Sequence, residues 1–193
     1  MRNPFLIPAL AAAMLAAPAA AAFNIGDKVA VHGSVQADIL FPEEDAAIGT
    51  GTYDKKILFN TYADINVLSE YVDGGIRAEF MKWPLPGYEP DFAGWGIPHI
   101  YLKGKFKGFE LTAGDFYEQF GSGFILRTYE ERSLGIDNSI RGGRLKVNAV
   151  NGLRLTALGG VQRRYWDWKK SSQVYGADAE ASLEDLSLIH ISE

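Results

Sequence analysis

A chain of 193 residues is long enough for one domain with a sizeable core, and its length does not call for two. Its formal net charge of -5 and pI near 5.3 exclude the broad basic field that a nucleic-acid partner requires, so no nucleic acid is expected to bind it. It contains no cysteine, which removes disulfides, thiolate metal ligands, a cysteine nucleophile and a lipoprotein anchor at once.

The first residues, "MRNPFLIPALAAAMLAAPAAAAFN", join the cation of Arg2 to an apolar run of about fifteen residues and then a string of small ones, the three-part plan of a secretory signal. Ala20 and Ala22 supply the small-x-small pattern, so residues 1–22 are expected to be a signal peptide for Sec export and the mature chain to start at Phe23. The run falls short of the ~20 residues of a membrane-spanning helix. No later apolar stretch is long enough to span either, so any membrane contact must be made by β-structure.

Beyond Phe23 the hydrophobic period is two. "KVAVHGSVQADILF" places Val29, Val31, Val35, Ala37, Ile39 and Phe41 on one face, opposite Lys28, His32, Ser34, Gln36 and Asp38. "KILFNTYADINVLSEYV" sets Ile57, Phe59, Ile65 and Val67 against Asn60, Tyr62, Asp64, Asn66 and Glu70. In "GIRAEFMKW" Ile76, Ala78 and Phe80 oppose Arg77, Glu79 and Met81. "HIYLKGKFK" and "FELTAG" follow, with Ile100, Leu102, Phe106, Phe109 and Leu111 against Tyr101, Lys103, Lys105, Glu110 and Thr112. "GRLKVNAV" and "LRLTALGGVQ" flank Asn151-Gly152, a strong two-residue hairpin signal, and "VYGADAEASL" alternates once more. About eight strands result, with no competing helical period.

Connections of two lengths alternate. Asp73-Gly74-Gly75, Lys107-Gly108 and Asn151-Gly152 read as tight turns, whereas residues 42–55, 84–98, 117–142 and 164–173 are long loops. An all-β, antiparallel up-and-down meander, part of a transmembrane outer-membrane β-barrel, has this arrangement, with short turns in the periplasm and long loops outside. The polar face then lines a lumen, and its charges are Asp64, Glu70, Arg77, Glu79, Lys103, Lys105, Glu110, Arg144, Lys146, Arg154, Asp178 and Glu180. The expected partners are outer-membrane lipid and lipopolysaccharide and the barrel-assembly machinery, in a channel, transport or surface-interaction role whose cargo the sequence leaves open. The competing architecture is a secreted carbohydrate-binding β-sandwich, which also alternates apolar and polar residues.

The segments "VHGSVQADILFP", "GTGTYDKKILFNTY", "PLPGYEPDFAGWGIPH", "GDFYEQFGSGFILRTYEERSLGIDNSIRGGRL" and "RRYWDWKK" resemble the N-terminal part of a family of uncharacterised outer-membrane proteins from Gram-negative gut anaerobes. The resemblance covers most of residues 23–185 and implies a longer protein with more strands. It carries no substrate or catalytic residues.

Within residues 115–144, Asp115, Glu118, Glu130, Glu131 and Asp137 include enough carboxylates for glycoside hydrolysis, but Arg127, Arg132, Arg141 and Arg144 nearly match them in number. The expectation is an ion-pair network in a long loop folded into or over the barrel. "FGSGF" is not a nucleophile elbow, because Phe120 and Phe124 stand where G-x-S-x-G requires glycine. His32 and His99 lack metal-ligand spacing, so no catalytic residue, metal or cofactor is assigned. Tyr88, Phe92 and Trp95 are expected to pack their loop, with presentation of the rings to a ligand as the alternative. In "RRYWDWKK", Tyr165, Trp166 and Trp168 are read as an interfacial belt with Arg163, Arg164, Lys169 and Lys170 facing lipid phosphates; sugar stacking is the alternative.

The last residues, "LSLIHISE" from Leu186 to Glu193, resemble a reading frame through a sequencing-adapter end. Residues 186–193 are therefore set outside the folded domain, residues 23–185 are read as the N-terminal strands of a barrel, and the natural chain is expected to continue past Asp185.

Overall fold

The computed structural model describes residues 19–43, 47, 54–150, 152–164, 166 and 172–182. Its strands are β1 (Ala19–Ile25), β2 (Val29–Leu40), β3 (Leu58–Ser69), β4 (Val72–Trp83), β5 (Gly94–Phe106), β6 (Phe109–Phe116), β7 (Glu130–Glu131), β8 (Ile136–Asp137), β9 (Ile140–Val150), β10 (Leu153–Gln162) and β11 (Gln173–Ala181). Nine form one antiparallel meander sheet in the order β1-β2-β3-β4-β5-β6-β9-β10-β11, and β7 pairs with β8 in a small ribbon. The fold is all-β, as the two-residue period requires; the described helical turns are two short 3-10 segments, Pro90–Phe92 and Arg132–Leu134. The sequence reading anticipated about eight strands. The ninth is β1, whose Phe23 lies opposite Val31, and it includes Ala19–Ala22 from the expected signal segment. Most of that segment, like residues 186–193, lies outside the described residues.

Short turns gather at one end of the sheet and long connections at the other. Lys107 and Gly108 both have positive φ, 38° and 85°, the mirror-image turn whose twist matches a hairpin. The turn between β3 and β4 is Glu70-Tyr71, not the expected Asp73-Gly74-Gly75. It closes through Ser69, whose Oγ accepts from the Val72 amide while its own amide donates to Asp73 Oδ1. Gly75 belongs to β4 because the Asn66 amide and the Tyr101 ring occupy the space a side chain would need.

The sheet curls strongly. Glu79 on β4 and Arg163, one residue beyond β10, are separated by four strand-to-strand steps, roughly 19 Å across a flat sheet. Yet Arg163 Nη2 lies 3.0 Å from Glu79 Oε2. Residues 117–139 cross the concave side: Arg132 reaches Gln36 on β2, and Phe120 packs against Leu158 on β10 and Gly176 on β11. No pairing joins β1 to β11 among the described residues, so the wall is an open arc.

Burial is inverted relative to a water-soluble sheet. The concave face buries polar and charged residues, including Asn60, Asp73, Glu79, Thr112 and Arg144. The convex face exposes Ile65, Val67, Ile76, Phe80, Ile97, Ile100, Leu102, Leu111, Leu145 and Leu155. These two sets are the ones that alternation separates. Two small apolar clusters lie on the concave side, Phe116, Phe120, Ile140 and Leu158 in one and Tyr62, Met81 and Phe92 in the other.

Candidate functional site

A charge held in a concave interior must be paired, because a lone buried ion loses its hydration without compensation. The register supplies partners. Asp64 lies directly opposite Arg77, Glu110 opposite Lys105 and Lys146, and Asp115 opposite Arg141. Three groups of contacts result.

Towards the long-loop end, Arg77 donates from Nε to Asp64 at 2.6 Å and from Nη1 to Glu130 at 2.8 Å. Arg132 donates to Glu130 at 2.9 Å and to Gln36 at 2.8 Å, and its guanidinium lies 3.9 Å from the centre of the Tyr62 ring. Arg163 bridges Glu79 on β4 and Asp137 on β8. Tyr117 donates to Asp137 at 3.0 Å; burial, with the Asp137 and Glu130 carboxylates beside it, pushes its phenol well above the ordinary value, so it stays a donor. The second group lies on the alternation row of Leu111 and Leu145 rather than that of Thr112 and Arg144: Arg141 grips Asp115 with two bonds of 2.8 Å while Asp115 also accepts from the Ile100 amide. In the third, Arg144 holds Glu110 at 2.8 Å and Glu118 at 3.0 Å, Lys146 reaches Glu118 at 2.7 Å, and Lys105 reaches Asp73 at 2.8 Å.

This network pins the segment 117–139 to the inner wall through Glu118, Glu130, Arg132 and Asp137. Of the carboxylates in residues 115–144, Asp115, Glu118, Glu130 and Asp137 each face an arginine or lysine, while the exposed Glu131 accepts from Ser133. Glu79, Glu130 and Asp137 bring their oxygens within 4.8 Å of one another, a spacing a cation could use. Arg77 and Arg163 already supply the positive charge there. Ser122 is exposed between Gly121 and Gly123 at the loop tip.

The convex face carries aromatic rings in two rows. Phe59, Phe80, Trp95 and Tyr175 lie near the long-loop end, with Phe59 5.5 Å from Phe80 and Trp95 exposed to 78%. Tyr71, Phe106 and Phe109 are exposed at the short-turn end. Aliphatic side chains fill the band between them.

The chain matches, over residues 1–192, a family described as "Family of unknown function (DUF6029)". The chain belongs to this family. No curated protein and no solved structure matches it. The matched span runs through both terminal segments that the sequence reading sets outside the folded domain.

In this family member the structure brings together Asp64, Arg77 and Glu79 around the loop, and Lys103, Lys105, Glu110, Arg144 and Lys146 at the short-turn end. Arg154 and Glu180 form an exposed pair at 3.7 Å, Asp178 lies opposite Thr156, and Glu70 is an exposed turn residue. Two residues of "RRYWDWKK", Arg163 and Trp166, lie on the inner side instead of in a belt, while Arg164 is exposed. Arg163 is buried in ion pairs, and Trp166 turns inward onto Gly94 and Gly96, donating from Nε1 to the Phe92 carbonyl at 3.1 Å. The two glycines leave a flat backbone for the indole, so its ring packs on the inner wall. Tyr165, Trp168, Lys169 and Lys170 lie outside the described residues. Tyr88 and Phe92 pack their loop as expected, edge to face at 5.6 Å. Trp95 instead points outward from β5. Sequence reasoning missed the roles of Arg163 and Asp73; the equal numbers of acids and arginines in residues 115–144 signalled the network but not its partners on the wall.

Proposed function

We propose that this chain is the wall of an outer-membrane β-barrel whose interior is narrowed by the inward-folded segment 117–139, and that it acts as a channel or transport protein for small hydrophilic solutes. The observation that carries the reading is the inversion of the sheet, apolar outside and ion-paired inside. In water the uncovered side chains would forgo about 1.5 to 3 kcal/mol each of burial, and so continuous an apolar face is far larger than soluble monomers tolerate. In hydrocarbon the same face is at rest. Trp95 and Phe106, at opposite ends of β5, are eleven residues apart, which for tilted strands corresponds to about 26 to 30 Å of membrane depth, near the height of a barrel's apolar band.

In lipid every strand edge must be paired, so the reading includes further strands that meet β1 and β11 and complete the ring. The short turns then face the periplasm and the long connections the outside. Outer-membrane lipid and lipopolysaccharide contact the wall, the barrel-assembly machinery inserts it, and the chemistry is non-enzymatic. The alternative of a carbohydrate-binding sandwich is less well supported, because among the described residues no second sheet covers the apolar face.

Fractionation of the exported protein tests this. It should sediment with outer membranes and migrate faster on SDS gels before boiling than after, since closed barrels resist detergent until heated. Recovery as a soluble periplasmic protein with no heat-dependent shift overturns the proposal.

A further inference from the structure

We infer that the short-turn end of the concave face is a binding site for small multivalent oxyanions, the shared chemistry of phosphorylated and polycarboxylate solutes. A cavity of about 820 Å³ opens there, lined by six cations and two carboxylates. The cations come from separate elements: Lys103 and Lys105 from β5, Lys107 from the following turn, Arg144 and Lys146 from β9, and Arg154 from β10. That convergence follows from the register. Lys103 shares a row with Thr112 and Arg144, and Lys105 shares the next with Glu110 and Lys146. Two strand spacings, about 10 Å, separate the β5 lysines from the β9 cations.

The internal acids do not account for all of these charges. Glu118 serves both Arg144 and Lys146, and Asp73, directly opposite Lys103, is taken by Lys105 at 2.8 Å. Lys103 is half-buried and makes no ion pair or hydrogen bond with any described side chain. An ammonium partly removed from water that shares its one facing carboxylate, Asp73, with Lys105 leaves room for a further counter-charge. An anion in the cavity supplies it to Lys103 on one side and reaches Lys146 on the other, with Arg154 at the rim. A ligand with two charged groups spans that separation better than a single phosphate.

The test is calorimetric titration of the detergent-solubilised full chain at low ionic strength, with pyrophosphate and citrate as the probes of the two sources and inorganic phosphate as the monovalent-site comparison. Screening within about 10 Å at 0.1 M salt makes low ionic strength necessary. Pyrophosphate or citrate should bind more tightly than phosphate; which of the two is tighter names the source. Lys103→Gln should weaken the tighter probe by about tenfold, the loss of one charge-assisted contact. Lys103→Arg should restore it, and Lys82→Gln, on the outer face near the other end, should leave it unchanged. Absence of binding by the wild type, or equal affinity in wild type and Lys103→Gln, overturns the site. The gel shift on heating, read on the same samples, reports the barrel independently, so an oxyanion site in a protein without that shift would stand while the membrane reading fell.

Discussion

Arg163 shows how one side chain joins parts of this chain that are far apart in sequence. Its guanidinium and the Glu79 carboxylate are each 1% exposed, and its second nitrogen holds Asp137 on the inward segment. Removing one member of a buried set leaves the others charged and unhydrated, which costs about 3 to 5 kcal/mol. Arg163→Met should therefore lower the temperature at which the folded gel band converts to the unfolded one. Arg163→Lys keeps the charge but not the two-pronged reach and should fall between. The neighbouring Arg164→Gln is exposed and should change stability by no more than about 0.5 kcal/mol. Equal midpoints for Arg163→Met and Arg164→Gln would show that the bridge does not hold the segment. At this scale the sequence was partly legible. The Asp64–Arg77 pairing follows from neighbouring strands of opposite charge, but Arg163 sits among aromatics and cations that read as a membrane surface. A charge in a sequence has no direction; only the curl of the sheet turns this one inward.

Strands are the elements the sequence specified best, because a period of two cannot be shifted by one residue without exchanging the faces. The ten residues of β10, Leu153–Gln162, appear in the sequence as an uninterrupted segment after Gly152. Turns were less legible where glycine had another use: Gly75 leaves room for the Asn66 and Tyr101 side chains, while the true turn, Glu70-Tyr71, carries no turn-forming residue type. The face assignment has a direct chemical test, made clean by the absence of native cysteine. Leu102→Cys and Lys103→Cys are adjacent on β5 and point to opposite faces. The thiolate is the reactive form, and hydrocarbon suppresses it. In intact membranes Lys103→Cys should therefore react with a charged, water-soluble thiol reagent, and Leu102→Cys should not until detergent is added. Leu102 is 60% exposed on the isolated wall. If it reacts as fast as Lys103→Cys in membranes, the outer face meets water and the lipid assignment fails.

On the scale of the whole molecule, two devices are combined: a curled meander whose strands alternate, and a long connection folded against its inner surface. The meander was readable because short and long connections alternate along the chain. The position of residues 117–139 was not, since that depends on contacts with β2, β4, β9, β10 and β11 that only the assembled arc brings together. The segment is held at both margins, by Arg132 on Gln36 and by Phe120 against Leu158 and Gly176, so it spans the width of the concave face. A solute moving along that face must pass it. Replacing residues 118–138 by a short glycine-serine linker should then raise single-channel conductance in planar bilayers several-fold over the wild type. Since that deletion also removes Phe120 from its cluster, the milder Arg132→Gln with Arg163→Gln serves beside it: it cuts the ties to Gln36, Glu79 and Asp137, retains the apolar contact and the Glu118 and Glu130 ion pairs, and should give conductance that flickers between the wild-type and a higher level. If variants that retain the heat-dependent gel shift conduct no better than the wild type, the segment lies off the path and does not restrict passage.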